Sequence, residues 1–247
     1  MAAEIRPGVC RPDWSVVTTA AAREALLGRD RSRAGLLHKW QHALEPTHDR
    51  VWRTVVSRFG SLGRPSHLAE IGEATGVSTG QLREIIAELE RRDLLGTDPS
   101  ADRVRYAYPF TAEPTEHRVR LHGRELHALC AIDALGIGGM FGTDVVITAS
   151  CRICGRQIEI ATADNGKSLS HARPAKAVVW YDLGYSGCAA SSNCQSIAFF
   201  CSQADQHRWL EARNPPAAGY SLTLPQALEL GRAIFEPVLR TAAPDRQ

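Results

Sequence analysis

A thiol and a carboxylate stand three residues apart in the apolar run Leu126-His127-Ala128-Leu129-Cys130-Ala131-Ile132-Asp133-Ala134-Leu135. On a helix, that spacing puts Cys130 and Asp133 on one face, in reach of one another. A thiolate is a nucleophile and a soft-metal ligand, and a carboxyl group can carry a proton, so together they form a chemical unit. Aspartate is seldom fully buried without a partner, which makes Asp133 the odd member of the segment. The same residues fit a plainer reading, with Cys130 a small core side chain and Asp133 a capped or exposed acid. His127 divides in the same way: it either helps to ionise the thiol or sits as a packed, hydrogen-bonded histidine.

The other thiols extend the theme. The seven cysteines are Cys10, Cys130, Cys151, Cys154, Cys188, Cys194 and Cys201, an odd number with six beyond residue 129. In a reducing compartment such clustering argues for metal or thiol chemistry rather than a disulfide framework. Cys151-Arg152-Ile153-Cys154-Gly155 has the form of a zinc knuckle, which closes when a second pair faces it. Cys188 is the best extra ligand and His171 a further one, but the Cys188 to Cys194 spacing is not that of a standard second half. The expectation is a turn with a buried structural cysteine and well under one zinc per chain. Cys201, within an apolar strand, reads as core, and Cys10 as an incidental or accessory thiol in an irregular start. His38 and His42 have ligand spacing but lack the carboxylate of His-Glu-x-x-His, so they read as a solvated face.

These side chains need elements to hold them. The apolar run around Cys130 reads as one buried helix closed by Gly136-Ile137-Gly138-Gly139, since glycine readily ends a helix. Before it, Pro109 to Pro114 reads as a hinge and His117 to Leu121 alternates as a strand. After it, strands are expected at 144–149, 157–162, 175–181 and 196–201, with helices at 203–213 and 225–239. At the front, a helix over 20–27, capped by Thr18 or Thr19 and stopped by Gly28, precedes a second over 33–44. Residues 47–108 follow the pattern of a winged helix: three helices built on Val51-Trp52, Leu68-Ile71 and Leu82-Ile85-Ile86, then two wing strands about a turn at Asp98-Pro99. A groove-reading module should be distinctly basic. Residues 51–107 hold eight arginines, no lysine and eight acids, for a net charge of zero. The module therefore reads as a scaffold, with DNA binding not expected.

The predicted class is α+β: N-terminal helices and a winged-helix module over residues 1–110, then a mixed, mainly antiparallel core over 111–247. The 247 residues suffice for one large core or two modest ones. Hydrophobic residues make up 44% and the net charge is only +2, so no electrostatic case arises for nucleic acid or membrane. The absence of a signal-type or spanning apolar run leads to a cytoplasmic expectation.

Leu129-Cys130-Ala131-Ile132-Asp133-Ala134-Leu135, then Thr148-Ala149-Ser150-Cys151, then Asn193-Cys194 leading to Phe199-Phe200 make up an ordered set. It resembles the alkylmercury (organomercurial) lyases over about residues 105–240. The resemblance implies that Cys130 and Cys194 take the organomercurial as mercury ligands and that Asp133 is the proton carrier. It implies no organic cofactor, external small thiols that deliver substrate and remove Hg(II), and a mercuric reductase as receiver of that ion. Mercury is soft and prefers thiolates. A second thiolate pushes electron density onto the bound carbon, and a nearby acid can then protonate it. Gln195 stands where some relatives have a further cysteine, and Leu129 where an aromatic can occur, which puts the organic-group preference in doubt. Two alternatives remain at this stage: a homologue acting on another carbon–heteroatom or metalloid bond, or a thiol-based metal sensor that binds DNA.

Overall fold

The computed structural model describes residues 12–32, 44–98, 100–214 and 216–240. The expected helix over 33–44 lies, except for Leu44, outside the described residues, as do His38, His42 and Cys10.

The fold is α+β. Helix α1 (Ala20–Ser32) is followed by α2 (Pro46–Leu62), α3 (Leu68–Thr75) and α4 (Thr79–Arg91). In this trio α2 and α4 each bury one stripe: Val51, Trp52, Val55, Val56 and Phe59 on α2, and Leu82, Ile85, Ile86 and Leu89 on α4. Strands β1 (Leu95–Asp98) and β2 (Arg103–Ala107) form an antiparallel pair, joined by β3 (Phe110–Thr111), β4 (Arg118–Leu121) and β5 (Arg124–Ala128). Helix α5 (Ala131–Phe141) leads to β6 (Val146–Ser150), β7 (Gln157–Ala163), β8 (Ser168–Arg173) and β9 (Val178–Asp182). The chain closes with β10 (Ala198–Phe200), α6 (Gln203–Glu211), β11 (Gly219–Thr223) and α7 (Leu224–Phe235).

Eight strands form one sheet in the order β1-β2-β3-β5-β4-β6-β7-β8, every described pairing antiparallel. A second sheet has the order β10-β9-β11. Strand β4 alternates as a half-buried strand must, with Arg118 and Arg120 out and Val119 and Leu121 in. Strand β9, central in the small sheet, is buried at all five positions, Val178 to Asp182. The large sheet runs without a break through residue 110, and the core does likewise. Phe59 of α2 stacks on Phe110 of β3 at 5.4 Å, and Phe110 meets Phe141 of α5 at 5.9 Å. Burying each such ring contributes roughly 1.5–3 kcal/mol.

Three expected helix boundaries are overturned, two of them at glycines. Residues up to Ala128 belong to β5, and α5 runs through Gly136, Gly138 and Gly139 to end at Gly142, where φ is +61°. The internal glycines answer to packing. A Cβ on Gly136 would lie 2.8 Å from the Gly231 carbonyl oxygen and 2.5 Å from Phe235, so α5 and α7 touch backbone to backbone. Likewise α1 continues past Gly28, whose position lies under the Tyr220 ring. Thr19 caps α1 as expected, its Oγ1 accepting from the Ala22 amide at 3.4 Å. Strands β3, β5, β8 and β11 add to the expected set: β3 is two residues long, and the edge strand β8 shows no clean alternation of burial.

The front of the chain is clasped to its end. The Asp13 amide donates to the Ala233 carbonyl at 2.7 Å, and Glu229 of α7 accepts from both Thr18 and Thr19. Those contacts lay α1 across α7 and β11, which carries Arg29 toward the interior.

Candidate active site

Cys130 is the N-cap of α5, not a residue within it: its backbone is extended, with φ −154° and ψ 175°, and its Sγ accepts from the Asp133 amide at 3.4 Å. Asp133 sits in the first turn of the same helix, 5% exposed. Cys194 arrives from a distant segment, the 3₁₀ turn Asn193–Ser196, and is 5% exposed. One backbone bond joins the two segments. The Ala131 amide, which the helix itself leaves without a partner, donates to the Ile197 carbonyl at 3.2 Å. The Cys194 amide is in turn tied to the Ala189 carbonyl at 3.0 Å. Cys130, Asp133 and Cys194 thus bring two sulfurs and a carboxylate oxygen within 4.8 Å of one another, all three residues buried.

Burial dominates the electrostatics of Cys130 and pushes its thiol well above the ordinary value, helped by the adjoining Cys194 thiol and by the charge of Asp133. The Asp133 amide and the helix N-terminus act the other way but are outweighed. At neutral pH Cys130 is therefore a thiol that gives up its proton when a soft cation arrives, since ligand binding and deprotonation are linked.

A cavity of about 10 Å³, room for about one water, lies among Cys130, Asp133, Cys194, Tyr108, Tyr181 and Arg29. Arg29, Tyr108 and Tyr181 carry no functional signal in the sequence. Arg29 falls just past Gly28, where the expected helix stops, and the two tyrosines fall in expected strands. Cys194 also lines an outer cleft with Thr115, His117, Leu129, Arg152 and Gln195, whereas Cys130 lines the inner cavity and not that cleft.

The loop before Cys194 is held by the front of the chain. Asp93, buried just after α4, accepts from the Ala189 amide at 2.9 Å, the Tyr185 hydroxyl at 3.3 Å and the Tyr108 hydroxyl at 3.2 Å. Tyr108 in turn accepts from the Ala190 amide at 2.8 Å. Burial raises the Asp93 carboxyl, with these bonds opposing.

His127 lies on β5, and its Nδ1 accepts from the Thr115 amide at 3.1 Å, so it is a hydrogen-bonded packing residue rather than an aid to the thiol. Cys188 and His171 do not complete the Cys151–Cys154 pair. Cys188 lies 3.4 Å from the Tyr106 hydroxyl, and His171 pairs with Glu159 at 3.0 Å. Cys201 and Asp205 stand there instead, their ligand-type atoms within 4.8 Å of those of Cys151 and Cys154, and Cys201 is buried in the core as expected.

The family model for alkylmercury lyase matches residues 110–236. An alkylmercury lyase of Streptomyces lividans is 25% identical over 201 residues, covering 78% of this chain and 86% of its own. One from Staphylococcus epidermidis is 27% identical over 171 residues, covering 69% and 74% respectively. Among solved structures, the mercury-bound form of MerB2 superposes with a TM-score of 0.70 at 22% identity, over 89% of this chain and 100% of that one, a likeness of fold.

Proposed function

The chain belongs to the alkylmercury lyase family and cleaves carbon–mercury bonds, and from that premise we propose that Cys130, Cys194 and Asp133 carry the reaction. The observation that carries this reading is the meeting of two thiols and one carboxylate in a buried pocket.

Cys194 engages first, because it alone of the two thiols reaches the outer cleft. Its sulfur displaces the small thiol that escorts the organomercurial, and that thiol leaves with the Cys194 proton. Cys130 then binds the same mercury atom and passes its proton to the Asp133 carboxylate. The two sulfurs load electron density onto the mercury-bound carbon. Asp133 delivers the proton to that carbon, the carbon–mercury bond breaks, and a hydrocarbon departs. Hg(II) stays on two thiolates until external small thiols remove it, for transfer to a mercuric reductase. The buried surroundings exclude water, which strengthens each electrostatic contact. No organic cofactor enters this scheme, and the supply of reduced thiols it requires fits a cytoplasmic setting.

Residues 1–110 serve as scaffold and 111–247 as the catalytic part. We read α2, α3 and α4 with the β1–β2 pair as a winged helix whose task is mechanical: Asp93 and Tyr108 grip the loop that leads into Cys194. The sensor alternative has no comparable support.

Phenylmercury incubated with excess small thiol should yield benzene, followed by gas chromatography. Cys130→Ala and Cys194→Ala should each abolish release, because one thiolate cannot activate the carbon. Near-normal turnover in either variant would overturn the assignment of that thiol.

A further inference from the structure

Two clusters among the described residues have the make-up of metal sites, and only one belongs to the lyase pocket. We propose that the other, Cys151, Cys154, Cys201 and Asp205, is a structural zinc site. This inference does not depend on the roles assigned to Cys130, Asp133 and Cys194. The sequence-based expectation of little zinc rested on a knuckle with no second half. The fold supplies that half from a segment 47 residues further on.

The four ligand atoms lie within 4.8 Å of one another. Two sulfurs each about 2.3 Å from a tetrahedral zinc ion stand about 3.8 Å apart. The Cys154 and Cys201 sulfurs are 3.8 Å apart, and Asp205 Oδ2 lies 3.8 Å from both Cys151 Sγ and Cys154 Sγ. These are three edges of a tetrahedron of about the right size.

The surroundings are built for the site. Gly155, at φ +69°, lets its amide return to the Cys151 carbonyl at 2.9 Å, while the Cys151 amide donates to the Arg156 carbonyl at 2.8 Å. That tight turn aims Cys151 and Cys154 to one side. The Arg152 amide donates to the Phe199 carbonyl at 3.2 Å and fastens the turn to β10, at whose end Cys201 stands. The Cys201 amide donates to Cys151 Sγ at 3.3 Å, the kind of bond a metal-bound thiolate accepts. Ser202 caps α6 by accepting from the Asp205 amide at 3.2 Å. Arg208 pairs with Asp205 Oδ1 and so leaves Oδ2 directed at the sulfurs, an outer partner of the sort that orients ligands. Cys151, Cys201 and Asp205 are buried while Cys154 is exposed, which provides an entry path for the ion. Three sulfur ligands with one carboxylate suit zinc, whose structural sites are closed and four-coordinate. The bound ion would staple the β6–β7 turn to β10 and α6, at the far end of the short segment that begins at Cys194.

Protein isolated under reducing conditions, without chelator or mercury, should carry one zinc per chain by elemental analysis. The Cys130→Ser/Cys194→Ser double variant should keep that zinc, and Cys154→Ser, altered at the exposed ligand, should lose it. Cobalt exchanged into the wild type should give thiolate charge-transfer bands and strong tetrahedral visible bands. Zinc far below one per chain even after reconstitution would overturn the proposal. So would zinc that follows the lyase thiols instead of Cys154, or a Cys154–Cys201 disulfide in the isolated protein. Should Cys154→Ser fail to fold, the cobalt spectrum of the double variant decides: no thiolate bands there, and the site does not exist.

Discussion

On the mechanism proposed above, Asp133 has two tasks that a substitution can separate. Its amide supports the Cys130 sulfur, which any residue could do, whereas its carboxyl is the only acid in the trio. Asp133→Ala should therefore keep the mercurial bound through two thiols yet cleave it about 10²–10⁴-fold more slowly, the usual range for a positioned acid. Single-turnover benzene release set against binding of the mercurial separates the two tasks, and joint loss would make Asp133 a binding residue. The proximity of Cys130 and Asp133 is legible from their spacing, but the spacing alone fits a plain core cysteine and a capped acid equally well. Cys194 is legible only through its match to a family pattern, because 63 residues of intervening chain hide its proximity. Arg29 is not legible at all, since a single buried arginine in a charged helix leaves no mark on the pattern.

At the level of elements, α5 sets two opposing effects against each other. Alanine at Gly136 would gain about 1 kcal/mol in helix propensity. It would also press a methyl group onto the Gly231 carbonyl and the Phe235 ring, and overpacking of that kind costs about 1–3 kcal/mol. Gly136→Ala should therefore lower the melting temperature, whereas Gly80→Ala, on α4 with nothing within 4 Å, should hold or raise it. A scanning calorimetry comparison of the two decides. This is why the glycines mislead: their local preference says stop, and a partner helix more than ninety residues away says continue. His117, just ahead of β4, offers a test in pH. Burial lowers its pKa from 6.5 to about 3, with the Arg152 charge adding to the effect, so Glu116 at 3.4 Å faces a neutral ring. The unfolded chain takes up a proton between those values and the folded chain does not. Stability from this group is thus complete above about pH 6.5 and falls toward pH 3, by up to about 1.4 kcal/mol per pH unit. Urea unfolding of His117→Gln across that window should show a slope shallower by close to one proton; an unchanged slope would mean that the imidazole is protonated in the fold.

Across the whole molecule, the front half braces the back half through the sheet, the Phe59–Phe110–Phe141 stack and the Asp93 bonds. Fold class and most strands are readable from alternation and turns, but the sharing of one sheet across residue 110 is not, since β3 is too short to register. A front half engaged as brace, with balanced charge, should not shift a labelled fragment of its own upstream DNA at near-physiological salt in the presence of competitor. A competitor-resistant shift would return it to the DNA-binding class. The nearly filled cavity carries a kinetic consequence. On the proposed assignment, a pocket with space for about one water admits a mercurial only by opening. At high substrate, the speed of capture should then level off at the frequency of sufficient opening, with a lower ceiling for the phenyl than for the methyl compound. Discrimination between organic groups would be exercised at the door, in how often it opens wide enough, rather than at the carbon where the bond breaks.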